Sequence, residues 1–232
     1  CDANNNCAIN STLITIANTP PNAPTIILPV IGANTSQQPL QFNITFANPD
    51  VDGDSITQIT WYINGTLNQT TGLTNTTFNA SDGTYILNVS ISDGFANSSN
   101  ATSNFTLDRV PPVVGLNSPV NNTNSSGIVT FEFLVSSTLT PPVSCQLFGN
   151  WSSSGFIGNQ TQNTLLIGVV NSFDETINFV NNATHVIWNV RCNDTAANYG
   201  WNSSNFTLNI DYTFPLVGLR SPANNTFDVG VW

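Results

Sequence analysis

The sequence predicts an all-β protein made of repeated sandwich units, and three observations carry that prediction. Apolar and polar residues alternate. Leu40-Gln41-Phe42-Asn43-Ile44-Thr45-Phe46 does so strictly, as does Phe105-Thr106-Leu107. A period of two sends successive side chains to opposite faces of a strand, one apolar and one wet. Turn residues then punctuate the apolar runs: Asn64-Gly65, Asp82-Gly83, Asp93-Gly94, Pro111-Pro112, Pro141-Pro142 and Phe148-Gly149. Finally, the twelve residues Pro112 to Thr123 recur at Pro215 to Thr226 with nine identities, at an offset of 103. A long i, i+3, i+4 pattern is absent.

The first full repeat is expected to hold seven strands, near 25–28, 40–47, 56–63, 66–69, 75–79, 84–92 and 100–108. Thr25-Ile26-Ile27-Leu28 is a short β-branched run. The second strand is the strict alternation from Leu40. The third carries Trp61 and ends at Asn64-Gly65, a hairpin signal that leads into the fourth. Thr76, Thr77 and Phe78 mark the fifth. Tyr85, Leu87, Val89 and Ile91 alternate along the sixth, with Ile86 the exception, and Trp61 is expected to face Tyr85 and Leu87. The seventh alternates through Phe105 and Leu107.

Asn-Phe-Thr-Leu precedes both copies of the repeated linker, at Asn104 to Leu107 and at Asn205 to Leu208. A weaker junction, Asn10-Ser11-Thr12-Leu13 followed by Pro20-Pro21 and Pro29, lies before them. The repeats are therefore about 90 to 100 residues long, the size of an immunoglobulin-type sandwich. Residues 22–109 and 110–212 read as complete units. Residues 1–21 read as the last strand of a preceding unit, and 213–232 as the first strand of a following one. The absence of methionine fits a segment of a longer or processed protein.

Pro49-Asp50-Val51-Asp52-Gly53-Asp54, Trp61-Tyr62-Ile63-Asn64-Gly65 and Asp82-Gly83-Thr84-Tyr85 together resemble the PKD, cadherin-like and bacterial-type Ig repeats of large surface proteins. The linker from Pro111 to Thr123 resembles the one joining Ig-like repeats in Asn/Thr-rich archaeal surface glycoproteins. The resemblance implies tandem immunoglobulin-like β-sandwich domains. It says little about function beyond spacing and adhesion.

The second unit is expected to carry Cys145 where the first has Trp61, and Cys192 where the first has Ile91. Both positions face inward on neighbouring strands, which predicts a Cys145–Cys192 disulfide; buried free thiols are the alternative. Such a bond would contribute roughly 3 to 4 kcal/mol in the chain-entropy picture. Cys1 resembles Cys192 in its setting. That leaves three options: an upstream partner, a local bond to Cys7, or a lipoprotein beginning at Cys1.

Charge is scarce. Only 7 % of residues are charged, against about 25 % in ordinary soluble domains. Thirteen acids and three bases (Arg109, Arg191 and Arg220) give a net charge of −10, which rules out neutralising a nucleic-acid backbone. No apolar run approaches the roughly 18 residues that span a bilayer. Asn (36), Thr (29) and Ser (22) supply the missing polarity.

Twenty asparagines head an Asn-x-Ser/Thr triplet: Asn10, Asn34, Asn43, Asn64, Asn68, Asn75, Asn79, Asn88, Asn97, Asn100, Asn104, Asn121, Asn124, Asn150, Asn159, Asn182, Asn193, Asn202, Asn205 and Asn224. Chance placement gives only about 8. Enrichment of all three residues on outward strand positions is one explanation; genuine N-glycans on an extracellular, cell-surface protein are the other. In Asn104-Phe105-Thr106 the aromatic points inward while the sequon points to water.

Asp50, Asp52 and Asp54 are the one concentrated acidic cluster. Alternate carboxylates on a loop suit Ca²⁺, and a solvated Asp-Gly turn between strands suits the same residues. The full EF-hand pattern is absent. No catalytic residue is expected. His185 is the sole histidine and reads as a rim residue, and no Gly-x-Ser-x-Gly occurs. Trp151, Tyr199 and Trp201 lie in turn-like surroundings suited to carbohydrate stacking, either on a glycan ligand or on the protein's own sugar.

The leading expectation is a non-enzymatic structural segment of an N-glycosylated surface protein or filament. Its partners would be neighbouring Ig-like units or further copies of itself, engaged by strand pairing. The alternative is an adhesin or carbohydrate-binding stalk with a calcium-dependent loop site.

Overall fold

The computed structural model describes residues 2–5, 7, 17–47, 49–126, 128–152, 154–177, 183–211 and 216–218. Among them every regular element is a strand, and no helix is long and apolar enough to cross a membrane. The chain divides into two units after Arg109. Most of the expected partial units, 1–21 and 213–232, lies outside the described residues.

In the first unit, β1 (Thr25–Leu28), β3 (Leu40–Thr45) and β6 (Asn75–Phe78) form one sheet in the order β1-β3-β6. The second sheet runs β2-β8-β7-β4-β5, from β2 (Ala33–Thr35), β4 (Gln58–Ile63), β5 (Thr66–Thr71), β7 (Gly83–Ser92) and β8 (Ala101–Leu107). Every strand expected here is present, with ends within two residues. Alternation does the sorting: Leu40, Phe42 and Ile44 are buried while Gln41 and Thr45 are exposed. Asn64 and Gly65 both take positive φ, 50° and 78°, as the tightest hairpin turn between β4 and β5 requires.

The core between the sheets is aromatic. Phe42 lies 6.0 Å from Trp61, 5.4 Å from Phe78 and 5.7 Å from Phe105, centroid to centroid. Trp61 is fully enclosed. Its cross-strand partner is Val89, flanked by the Ile59–Ile91 and Ile63–Leu87 pairs, so Tyr85 is not opposite it.

The second unit repeats this layout. Its smaller sheet is β14-β11-β9, from β9 (Val113–Ser118), β11 (Ile128–Ser136) and β14 (Asn171–Thr176). Its larger sheet is β10-β17-β15-β12-β13, from β10 (Thr123–Ser125), β12 (Pro142–Ser152), β13 (Gly155–Gln162), β15 (Ala183–Asp194) and β17 (Phe206–Ile210); β16 (Tyr199–Trp201) also pairs with β15. Both units are thus two-sheet, Greek-key-type, immunoglobulin-like sandwiches. In each, a three-residue strand runs parallel to the last strand: Asn34 opposes Thr106, and Asn124 opposes Asn209. These two short strands were not expected. They carry no alternation and gain their hydrogen bonds from residues more than 70 positions away.

Register corrects the alignment of the two cores. Cys145 pairs with Cys192, as Ile59 pairs with Ile91. Cys145 therefore replaces Ile59, and Leu147, opposite Val190, replaces Trp61. The two cysteines are bonded, with Cα atoms 4.0 Å apart across the central strand pair. Cys7 is also disulfide-bonded, and Cys1 lies outside the described residues.

The large ring of this core has moved across the pair to β15. Trp188 occupies the place of Leu87, opposite Gly149. Phe148-Gly149 is consequently not a turn but the middle of β12. Gly149 is required by space: a Cβ there would lie 1.7 Å from the Trp151 ring. That ring in turn stacks on the fully buried Phe131 at 5.2 Å. Trp151 is therefore a half-buried core residue, not an open stacking platform.

Gly149→Ala is expected to destabilise the second unit by about 1–3 kcal/mol, the usual range for overpacking. Calorimetry on the variant checks this, and an unshifted transition would show that Trp151 can vacate its position freely. Replacing both Cys145 and Cys192 by Ala should cost the same unit roughly 3 to 4 kcal/mol, by loss of a long closed loop. Denaturant titration reads that loss.

Candidate functional site

Three features of the loops and outer faces are candidates for a site. The first is the turn that leaves β7 in the first unit and β15 in the second, and both units build it on an aspartate. Asp93 follows Ile91 by two positions, and Asp194 follows Cys192 by two. Alternation turns each carboxylate inward, and both are almost fully buried. Asp93 Oδ1 accepts the N–H groups of Phe95 and Ala96, both at 2.7 Å, and Oδ2 accepts Asn18 Nδ2 at 3.1 Å. Asp194 Oδ1 accepts the N–H groups of Ala196 and Asn198 at 2.9 Å, and Oδ2 accepts Asn198 Nδ2 at 2.9 Å.

Each carboxylate thus satisfies the backbone donors of its own turn. The N–H of Ala96 first, then those of Phe95 and the amide of Asn18, hold the Asp93 carboxyl below its ordinary range against the opposing effect of burial. Only its spacing marks Asp194 for this role in the sequence: it lies two residues beyond an inward position on the same strand.

The second feature is the acidic loop. Asp50 Oδ1 accepts the N–H groups of Asp52 (2.8 Å) and Asp54 (3.3 Å), and Asp52 Oδ2 accepts the N–H of Thr19 at 2.6 Å. Asp52 and Asp54 line a cavity of about 400 Å³ with Ala17, Asn18 and Phe95. Among the described residues, no three Asp, Glu, Cys or His side chains gather into a group able to hold a metal ion. Two of the three carboxylates are instead engaged by backbone donors. Asp82 is paired with Arg109, whose Nε donates to it at 2.7 Å and keeps its carboxyl below the usual range.

The third feature is the outer face of the larger sheet of the second unit. Arg191 points outward from β15 between three rings. Its guanidinium carbon is 5.0 Å from the centroid of Phe148, 5.1 Å from Tyr199 and 5.6 Å from Trp201. Phe148 also contacts Trp201 at 4.6 Å and Phe156 at 6.0 Å. Tyr199 is 56 % exposed and Trp201 41 %. Cation–π attraction fixes the guanidinium in the aromatic row, and Gln146 Oε1 accepts from its Nη2 at 3.1 Å. His185 is exposed on the rim.

The sequons are spread over both units. Asn10, Asn182 and Asn224 lie outside the described residues. Of the other seventeen, eleven asparagines are exposed and six half-buried, with none fully buried. Phe105, in the middle of one sequon, is 1 % exposed, so that sequon straddles the strand with its aromatic inside and its amide outside.

No protein-family model and no curated protein matches the chain. Solved structures do. The fibronectin(III)-like modules of Clostridium thermocellum CbhA are similar over 81 % of this chain and 93 % of theirs, at 13 % identity and a TM-score of 0.47. The FN1–FN3 domains of chicken CNTN1 are similar over 87 % and 69 %, at 11 % identity and 0.46. The Yersinia pseudotuberculosis adhesin InvE is similar over 80 % and 58 %, at 15 % identity and 0.31. At these identities the likeness is one of fold.

Asp194→Ala should cost about 1–3 kcal/mol, because it strands buried backbone donors; thermal unfolding of the variant measures it. For Asp93 the sign follows from its lowered folded pKa. Its contribution is complete above the unfolded carboxyl value of about 3.9 and is lost as pH falls through the lower folded value. The acid unfolding of the first unit should therefore lose that limb in Asp93→Asn.

Proposed function

We propose that the chain is a structural segment of a longer extracellular protein. In this reading it is a tandem array of Ig-like units on a densely N-glycosylated cell surface or in a filament, of the archaeal Asn/Thr-rich kind that its linker resembles. Its role is spacing and cohesion, and its partners are neighbouring units and further copies of itself, engaged by end-to-end contact or strand addition. It carries no catalytic function.

One observation carries the reading: all seventeen described sequon asparagines reach the surface, ten of them on strands and seven in the turns and loops between strands. Sugar at those positions leaves the packing untouched. A chain with 7 % charged residues has few charges with which to blunt its sheet edges, and sugar supplies another way.

The array is supported by a third form of the aspartate turn. Asp2 Oδ1 accepts the N–H of Asn4 at 2.9 Å, and the Asp2 carbonyl accepts the N–H of Asn5 at 3.0 Å. The Asp194 carbonyl likewise accepts the N–H of Ala197 at 3.2 Å. Asn5 and Ala197 share a left-handed backbone, with φ of 69° and 65°.

A second reading, a carbohydrate-binding stalk, is favoured by the exposed Tyr199 and Trp201 beside Arg191. Calcium at Asp50, Asp52 and Asp54 belongs to that second reading. Its support is Asp50 Oδ2, which is enclosed without a hydrogen-bond partner.

Enzymatic release of N-glycans in heavy-oxygen water, followed by peptide mapping, should label Asn residues across both units. An unlabelled chain from its native source overturns the reading. Chelator addition tests the calcium loop: a lowered unfolding midpoint of the first unit supports bound metal, and an unchanged midpoint removes it.

A further inference from the structure

We propose that the aromatic row around Arg191 is the seat of the protein's own N-glycan, carried by Asn193. The inference rests on the glycosylated reading above and goes beyond it by assigning one sugar to one surface. Asn193-Asp194-Thr195 is a sequon at the end of β15. Its asparagine shares the outward face with Arg191, two residues earlier, because the intervening Cys192 is buried. Across the ladder, Asn193 is directly opposite Tyr199, and Arg191 is directly opposite Trp201. Directly opposed residues of an antiparallel pair hold their Cβ atoms roughly 5 Å apart, about the width of one pyranose ring.

A sugar on Asn193 Nδ2 therefore starts beside the 56 % exposed ring of Tyr199. The next residues of the glycan follow the row over Arg191 toward Trp201 and Phe148. Each ring offers a flat apolar face to the C–H face of a sugar, and the guanidinium offers fixed donors to its hydroxyl oxygens.

The attachment atom is lightly held: Asn193 Nδ2 reaches only the Asp194 carbonyl, at 3.5 Å. The neighbouring sequon asparagine Asn202 spends its Nδ2 on the Ser204 carbonyl at 2.6 Å. The buried Asp194 in the middle of the sequon locks the turn. That turn fixes β16, and hence Tyr199 and Trp201, against the residue that carries the sugar. The glycan covers an aromatic surface that would otherwise be open to water in a chain with few charged residues.

The test is hydroxyl-radical footprinting of the full chain from an N-glycosylating host, read by peptide mass spectrometry. The forms compared are the glycosylated protein, the enzymatically deglycosylated protein, Asn193→Gln, and Asn121→Gln as a sequon control elsewhere in the unit. Oxidation of Tyr199 and Trp201 should rise several-fold on deglycosylation and in Asn193→Gln. It should stay at the glycosylated level in Asn121→Gln, and buried Trp61 should not change in any form. A second measurement covers a misfolded variant. Tyr199→Ala should remove part of the thermal stabilisation that the glycan at Asn193 confers, seen as a smaller midpoint difference between glycosylated and deglycosylated forms.

Sugar on other sequons with Asn193 bare overturns this proposal alone. So does sugar on Asn193 that leaves Tyr199 and Trp201 equally reactive. Protection of those residues by free oligosaccharide, with Asn193 bare, replaces it with the ligand-binding reading. A chain without sugar at any site overturns the glycosylated reading itself.

Discussion

The pairing of β4 with β7 in the first unit, and of β12 with β15 in the second, at the centre of the larger sheet fixes everything else in each unit. In the first, Ile59, Trp61 and Ile63 meet Ile91, Val89 and Leu87 across that ladder. In the second, Cys145, Leu147 and Gly149 meet Cys192, Val190 and Trp188. A slip by one residue would turn each of these sets out to water and bring the polar set in, so the register is strongly specified. The second unit adds a covalent tie at this same place. The volume of the tryptophan is conserved between the units, but its position is not. The first keeps it on β4. The second moves it to β15, the counterpart of β7, and empties the opposite site to glycine.

The same register aims the loops. Once Ile91 and Cys192 face inward, a residue two positions further along must face inward as well, at the end of the sandwich where the backbone turns. A buried position beside unpaired N–H groups calls for an acceptor, and aspartate supplies two oxygens in both units. Phe95, Ala96, Ala196 and Asn198 thereby find partners for their backbone groups. The carboxylates serve structure here, as Asp50 does in the acidic loop.

The outward faces obey a different constraint. With three basic and thirteen acidic residues in the whole chain, ion pairs contribute little: Asp82–Arg109 is the ion pair found among the described residues. Amide and hydroxyl side chains occupy the positions that charge holds elsewhere, and they are what a sequon is made of. One departure from this is the outer face around Arg191, where rings replace amides. This contrast between a polar, sequon-bearing surface and one aromatic row links the proposed roles of the molecule.

Period and turn chemistry were enough to define the strands of the first unit, its inward residues and the repeat. Both are local properties that any strand must show to bury one face. The two parallel edge strands escaped because a three-residue element such as Ala33–Thr35 has no period and exists through bonds to a distant strand. Gly149 and Trp151 looked like a turn and an exposed ring; only packing revealed that one makes room for the other. The same holds for the match of Cys145 to Ile59 and for the row around Arg191, which gathers residues from β12, β13, β15 and β16. Sequence fixes which side of a strand a residue faces, because that is decided by its immediate neighbours. Which residues then meet across strands depends on register and on volume, and those are settled only when the sheets close on one another.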